Sequence, residues 1–260
     1  MGPGVDVNFD EMLQALGKIA QRYTKPVVDA IMRWRRSQKG GASPDIVRHH
    51  ASQSPEFQRN VRTYDIPSTL EERKSLASIY IMCRALIAVL QSIPKDALGE
   101  VLGYTLEETT FQEFKKPDLK LLAQSANHRT NAELYATLLG LIANVRYASR
   151  FSVMSPETDI FPNRFVSVTD RFLGELGPVT SGQVPKDLDA KYENLVKGLK
   201  HVQIKVWPPE AFEEGADFME SLSKSFGNAH GLRLKTTFAE TLHHLLHRIG
   251  KVGVNSLLSP

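Results

Sequence analysis

Apolar residues recur at threes and fours along almost the whole chain, the spacing of amphipathic helices. From Leu76, the positions Ile79, Tyr80, Cys83, Ile87 and Leu90 form one stripe, while Ile81, Met82, Leu86 and Val89 fill other faces. This helix is expected to be buried on most sides. Ser68-Thr69-Leu70-Glu71 predicts its start as a capping box, in which hydroxyl and carboxylate satisfy backbone donors reciprocally. Comparable patterns predict helices over residues 9–36, 133–147, 188–202, 209–227 and 232–250. Pro208-Pro209 suits a first helical turn, where the missing donor costs nothing, and Gly227-Asn228 with Gly231 suits a stop and a tight link.

Strand-like alternation is confined to residues 200–207, with Val202, Ile204 and Val206, and it is short and lies between helical patterns. Residues 152–163 and 177–185 read as loops from their prolines and glycines. Short links between amphipathic helices imply antiparallel pairs. A long run of pairs predicts an all-α fold stacked as a HEAT- or armadillo-like α-solenoid. The expected organisation is an N-terminal helical segment, 1–67, continuous with a helical-repeat segment, 68–260.

Composition narrows the class. The chain has 260 residues, 42% hydrophobic and 23% charged, as expected of a folded soluble protein. One cysteine, Cys83, excludes an internal disulfide and a cysteine zinc site, and points to a reducing, intracellular compartment. The most apolar stretch, IYIMCRALIAVL, is interrupted by Arg84 and falls short of the ~20 residues that span a bilayer. No transmembrane segment or targeting signal is read.

The net charge of +3 is unevenly spread. Between Gln14 and Arg62 stand ten Lys or Arg and three acids, whereas Pro208 to Glu220 holds five acids and no base. Arg33, Trp34, Arg35 and Arg36 form a candidate docking patch for an acidic partner. The competing reading is a solvated helix end whose cations complement the helix dipole. Glu210, Glu213, Glu214 and Asp217 form a second candidate, suited to a basic partner segment. A single basic cluster of this kind is a weak nucleic-acid signal, so nucleic acid is not expected.

Residues 237–250, TFAETLHHLLHRIG, place His243 and His247 at the i, i+4 spacing that lets two imidazoles share a metal. On a helical wheel Leu234, Phe238, Leu242, Leu245 and Ile249 form the buried stripe, and His243, His244 and His247 fall opposite. The glutamate that activates water in His-Glu-x-x-His is replaced by His244, so no catalytic metal site is expected. The Gly-rich nucleotide loops and the Gly-x-Ser-x-Gly elbow are absent from the sequence. Cys83 reads as a core thiol. Gly99 and Gly103 indicate either close packing or a helix break, and Tyr23, Trp34 and Trp207 suit interface anchors or core alike. No catalytic residue, cofactor or metal is assigned.

The central block carries a family likeness. SIPKDALGEVLGYTLEE, Ser92 to Glu108, followed by Phe111, Phe114, Lys115 and Lys116, resembles the N-terminal region of Furry-type cell morphogenesis proteins. The likeness continues through Asn127, Arg129, Asn131, Leu139-Gly140 and FVSVTDRF at 165–172, then over 198–207 and from Phe212 to Gly231. Before Ser68, Lys25-Pro26-Val27-Val28-Asp29 and the Trp34-Arg35 pair are similar to fungal members.

The resemblance implies a scaffold without a catalytic site. Such proteins are long helical-repeat chains that support NDR-type kinases and their Mob coactivators in polarised growth, and in fungi a germinal-centre-type upstream kinase. It further implies a cytoplasmic location at the cell cortex, and an excerpt of a longer chain with a shortened join around residues 161–164. The alternative is a nucleic-acid or membrane-surface adaptor using the basic N-terminal end.

Overall fold

A computed structural model describes residues 6–39, 66–94, 97–152, 168–183, 189–204 and 209–257. Among these residues the chain is all-helical and holds no strand. It divides into two compact units, Met1–Ser92 and Ile93–Pro260.

In the first unit, α1 (Val7–Ala20) begins behind Asp6, whose carboxylate accepts from the Phe9 N–H at 3.1 Å. α2 spans Thr24–Lys39 and α3 spans Ile66–Ser92. The periodicity over 9–36 predicts one helix, but the structure has two, with a turn between Ala20 and Thr24. Pro26 explains the break. It has no N–H, and its ring would strike the carbonyl four residues back if the helix ran on, so it fits only the first turn of a new helix. α3 starts two residues ahead of Ser68, at Ile66, and packs against both α1 and α2. The compact unit therefore ends after α3.

Cys83, Leu86 and Val89 of α3 are fully buried. Gly17 of α1 permits close approach, since a Cβ there would lie 2.3 Å from the Ser92 Oγ. By length and composition alone Leu70–Ser92 would pass for a membrane span, a test that a buried core helix such as α3 also passes. Arg84 does not interrupt the helix, because its charge is answered locally. Its guanidinium reaches Asp10 at 2.5 Å and lies over the Phe9 and Tyr80 rings.

The second unit contains α4 (Glu100–Phe114), α5 (Leu119–Gln124), α6 (Ala126–Ser152), α7 (Val168–Thr180) and α8 (Asp189–Gly198). A 3-10 turn at Leu199–His201 then leads to α9 (Pro209–Asn228) and α10 (Leu232–Leu257). α4 packs on α6, α7 on α9, and α8 on α10. Sequence periodicity missed α4, α5 and α7. Gly177 and Pro178, read as loop, lie inside α7, which stops at Gly182 with φ +68°. The predicted loop at 152–163 lies outside the described residues, apart from Ser152 at the end of α6. The alternation at 200–207 is the end of a 3-10 turn followed by an extended Val202 and irregular backbone to Ile204, and 205–207 lie outside the described residues.

The core of this unit centres on Leu138, Leu139, Ile142, Phe172, Leu176, Leu222 and Phe238. Gly99 caps α4 with φ +63°, while Gly103 lies 3.0 Å from the Arg146 side chain, measured from where its Cβ would be. The Gly-x-x-x-Gly spacing thus serves one helix start and one close packing contact.

Candidate interaction site

The basic end of α2 separates into two environments. Arg33 and Arg36 are exposed, and Trp34 is 37% exposed. Arg35 is not a surface cation, as the sequence cluster implied; it is only 5% exposed. Thr24, Val28 and Arg35 fall at i, i+4 and i+11, the stripe of α2 that is buried. That spacing was readable in the sequence, but the run of like charges obscured it. Arg35 Nε and Nη1 are buried with no hydrogen-bond partner among the described residues. Its charge is felt at Cys83, where burial pushes the thiol far above its usual range and the guanidinium opposes that rise. Cys83 is therefore a protonated, unreactive core thiol.

The acidic helix α9 turns Phe218, Leu222 and Ser225 inward and leaves Phe212, Glu213 and Asp217 exposed. Glu210 and Glu214 lie on the same helix, with side chains outside the described set. Tyr23 is 61% exposed, and Trp207 lies outside the described residues.

A charged network sits between α4, α6 and α7. Glu107, only 1% exposed, accepts from Arg146 and from Arg171 Nε, the latter at 2.7 Å. Arg171 also bonds Glu108. Both guanidiniums lie near the Tyr104 ring, 5.8 Å away for Arg146 and 5.3 Å for Arg171. Burial alone would lower the Arg171 pKa, but its bonds to Glu107 and Tyr104 outweigh that and hold it above its ordinary value. Beside the network, Phe172 packs edge-on to Phe111 with centroids 5.3 Å apart and also meets Phe114. Two cations and two anions balance, so the cluster is a fastening of three helices and has no net charge to offer a ligand.

At the other edge of α6, Glu133 meets Lys200 at 2.6 Å and His201 Nε2 at 2.8 Å. The His201 bond is the chief cause that brings the Glu133 carboxyl down to about 2; burial opposes it and Lys200 assists. His243, His244 and His247 are exposed on α10, and the rings of His243 and His247 stack with centroids 6.2 Å apart. Among the described residues no group of three or more His, Cys, Asp or Glu is placed to hold a metal. Burial and the neighbouring cations Arg248, His201 and Lys200 lower the His244 pKa.

The segments joined by the Glu107 network are those that carry the likeness noted in the sequence, and the family model described as cell morphogenesis N-terminal matches residues 72–151 and 162–260. The chain belongs to the cell morphogenesis N-terminal family. This is the fungal Furry-type region expected from the sequence. The chain is 26% identical over 327 residues to cell morphogenesis protein PAG1 of Saccharomyces cerevisiae, covering 95% of this chain and 13% of that protein. It is 27% identical over 244 residues to cell polarity protein mor2 of Schizosaccharomyces pombe, covering 94% of this chain and 9% of that protein. It thus spans a small fraction of both relatives. No solved structure matches.

Within the family match, the motif ends now have physical roles. Arg171 of the TDRF string closes on Glu107 and Glu108 of the TLEE string. Gly140 brings α6 against the 3-10 turn, since a Cβ would lie 2.3 Å from the His201 carbonyl oxygen. Gly198 seats the Phe114 and Phe172 rings, with 2.5 Å from its would-be Cβ to Phe114 Cζ. Arg33 to Arg36 precede the matched region, which begins at residue 72.

Proposed function

We propose that this chain is a non-catalytic scaffold segment of a cell-polarity pathway. Its helices pair antiparallel and stack as a HEAT- or armadillo-like solenoid, and its exposed faces recruit an NDR-type kinase with its Mob coactivator or a germinal-centre-type kinase. The working location is the cytoplasmic face of the cell cortex at sites of polarised growth. The observation that carries the reading is membership of the cell morphogenesis family in a chain whose described residues are all-helical. The names of the relatives, one for morphogenesis and one for polarity, support it. The charges of the second unit's network are paired with one another, so docking is assigned to the exposed Arg33, Trp34 and Arg36, with the acidic face of α9 as second choice.

The test is capture of purified NDR-type kinase, Mob and germinal-centre-type kinase by the immobilised chain at physiological salt. Retention of one of them supports the reading. The exposed cations also favour a second reading, an adaptor for nucleic acid or anionic lipid. Failure of all three captures, together with RNA or anionic-vesicle binding that falls steeply with salt, would replace the scaffold by that adaptor.

A further inference from the structure

Among the described residues the buried Arg35 is the least explained charge. It lies on the packed stripe of α2 with Thr24 and Val28, 5% exposed, and neither Nε nor Nη1 has a hydrogen-bond partner among the described residues. Nearby Cys83 is a protonated thiol and supplies no negative charge. A buried cation without a counter-ion is costly, because water is removed and no partner replaces it. Arg84, on the neighbouring helix α3, shows the ordinary solution, an ion pair to Asp10 at 2.5 Å with two aromatic rings alongside. Among the described residues Arg35 has the burial without the pair.

We infer that Arg35 is the receptor for a single carboxylate on an acidic segment of a protein partner, which inserts beside Trp34 at the exposed basic end of α2. The exposed cations draw an acidic segment to the end of α2 and fix little else, since surface pairs are weak and screened. The specific contact is the buried one. A carboxylate can accept from two guanidinium nitrogens at once, and in a site shielded from water such a pair is far stronger than at the surface. A glutamate carries such a carboxylate on a flexible apolar stem. A phosphate dianion is bulkier and costs more to strip of water. Trp34 then covers the inserted stem, a role its partial exposure permits. The inference rests on the proposed partner surface, but it names the ligand chemistry and the residue that reads it.

It has an unusual consequence for stability. A residue kept for the core would weaken the fold when replaced, whereas an unpaired buried cation should do the opposite. Arg35→Met preserves length and removes only the charge, so the variant of the full 260-residue chain should melt at the same temperature as the parent or higher. Poly-L-glutamate should raise the parent's melting midpoint and bind it. For Arg35→Met its affinity should fall at least about thirtyfold, as for loss of one member of a desolvated pair. Arg33→Gln with Arg36→Gln should produce a smaller loss that vanishes at high salt.

Three results would overturn the inference. A lower midpoint for Arg35→Met without ligand would show that the chain already supplies a counter-charge. An unchanged poly-L-glutamate affinity in Arg35→Met would leave only diffuse attraction. Inorganic phosphate acting through Arg35 as strongly as the carboxylate polymer would replace the ligand class. Because none of these measurements uses a kinase, failed kinase capture with an intact poly-L-glutamate response would fault the choice of partner and leave Arg35's role standing.

Discussion

At the scale of single residues, burial and close approach decide what each position tolerates. Leu86 and Leu138 are fully buried, so truncation to Ala should cost about 2–5 kcal/mol through lost contacts and a residual cavity. His244 is exposed, and His244→Ala should cost about 0.5 kcal/mol or less. Urea denaturation midpoints will separate the two classes; equal midpoints would contradict the burial assignment. Gly140 is a sharper case, because the obstacle to a side chain is a backbone carbonyl that cannot rotate away. Gly140→Ala should force the 3-10 turn off α6 and destabilise by an amount comparable to a core truncation. Glu133 adds a pH dependence. Its carboxyl is held at about 2 against an ordinary 4.5, so its contribution is complete above 4.5 and disappears as pH falls through 2. Glu133→Gln should flatten the stability curve in that window. An unchanged acid limb would show that Lys200 and His201 do not hold the carboxylate in solution.

At the scale of helices, what the sequence revealed depended on how one-sided each element is. α9 and α10 were legible because each buries one stripe, and Leu234, Phe238 and Leu245 of α10 sit where the wheel put them. α4 was not, because its inward side includes Glu107 and Thr110 as well as Leu106 and Phe111, so no clean apolar stripe marks it. α7 was hidden by Gly174, Gly177 and Pro178, residues that mark loops unless tertiary contacts override them. The Glu107–Arg171 pair was beyond local reading, since 64 positions separate its members. Its energetics are nevertheless predictable. Glu107→Gln removes the anion between two guanidiniums and should cost about 3–5 kcal/mol, whereas Arg171→Met leaves Glu107 paired with Arg146 and should cost less. The two effects should not add, since they share one network. A double-mutant cycle by chemical denaturation measures this, and strict additivity would mean the three groups do not act together.

For the whole chain, the distribution of charge decides which surface an experiment can probe cleanly. Both ends of the contrast seen in the sequence persist as exposed side chains, Arg33 and Arg36 on α2, and Glu213 and Asp217 on α9. Arg35, which the sequence grouped with its neighbours, must be left out of any surface test, because a carboxylate placed in its buried position would report on folding as well as binding. Reversal is therefore confined to Arg33→Glu with Arg36→Glu, compared with Glu213→Lys with Asp217→Lys. Both pairs are solvent-exposed, so thermal midpoints and the helical circular dichroism signal should remain within a degree or two of the parent. If the α2 end is the docking face, the first reversal should abolish kinase or Mob capture and the second should leave it intact. The loss should be seen mainly in the association rate and should shrink as salt rises, because rim charges steer encounter more than they hold the complex. Capture that survives the α2 reversal but fails with the α9 reversal moves the interface to the second unit. Arg35's role would still be decided by the poly-L-glutamate measurements, which use no kinase.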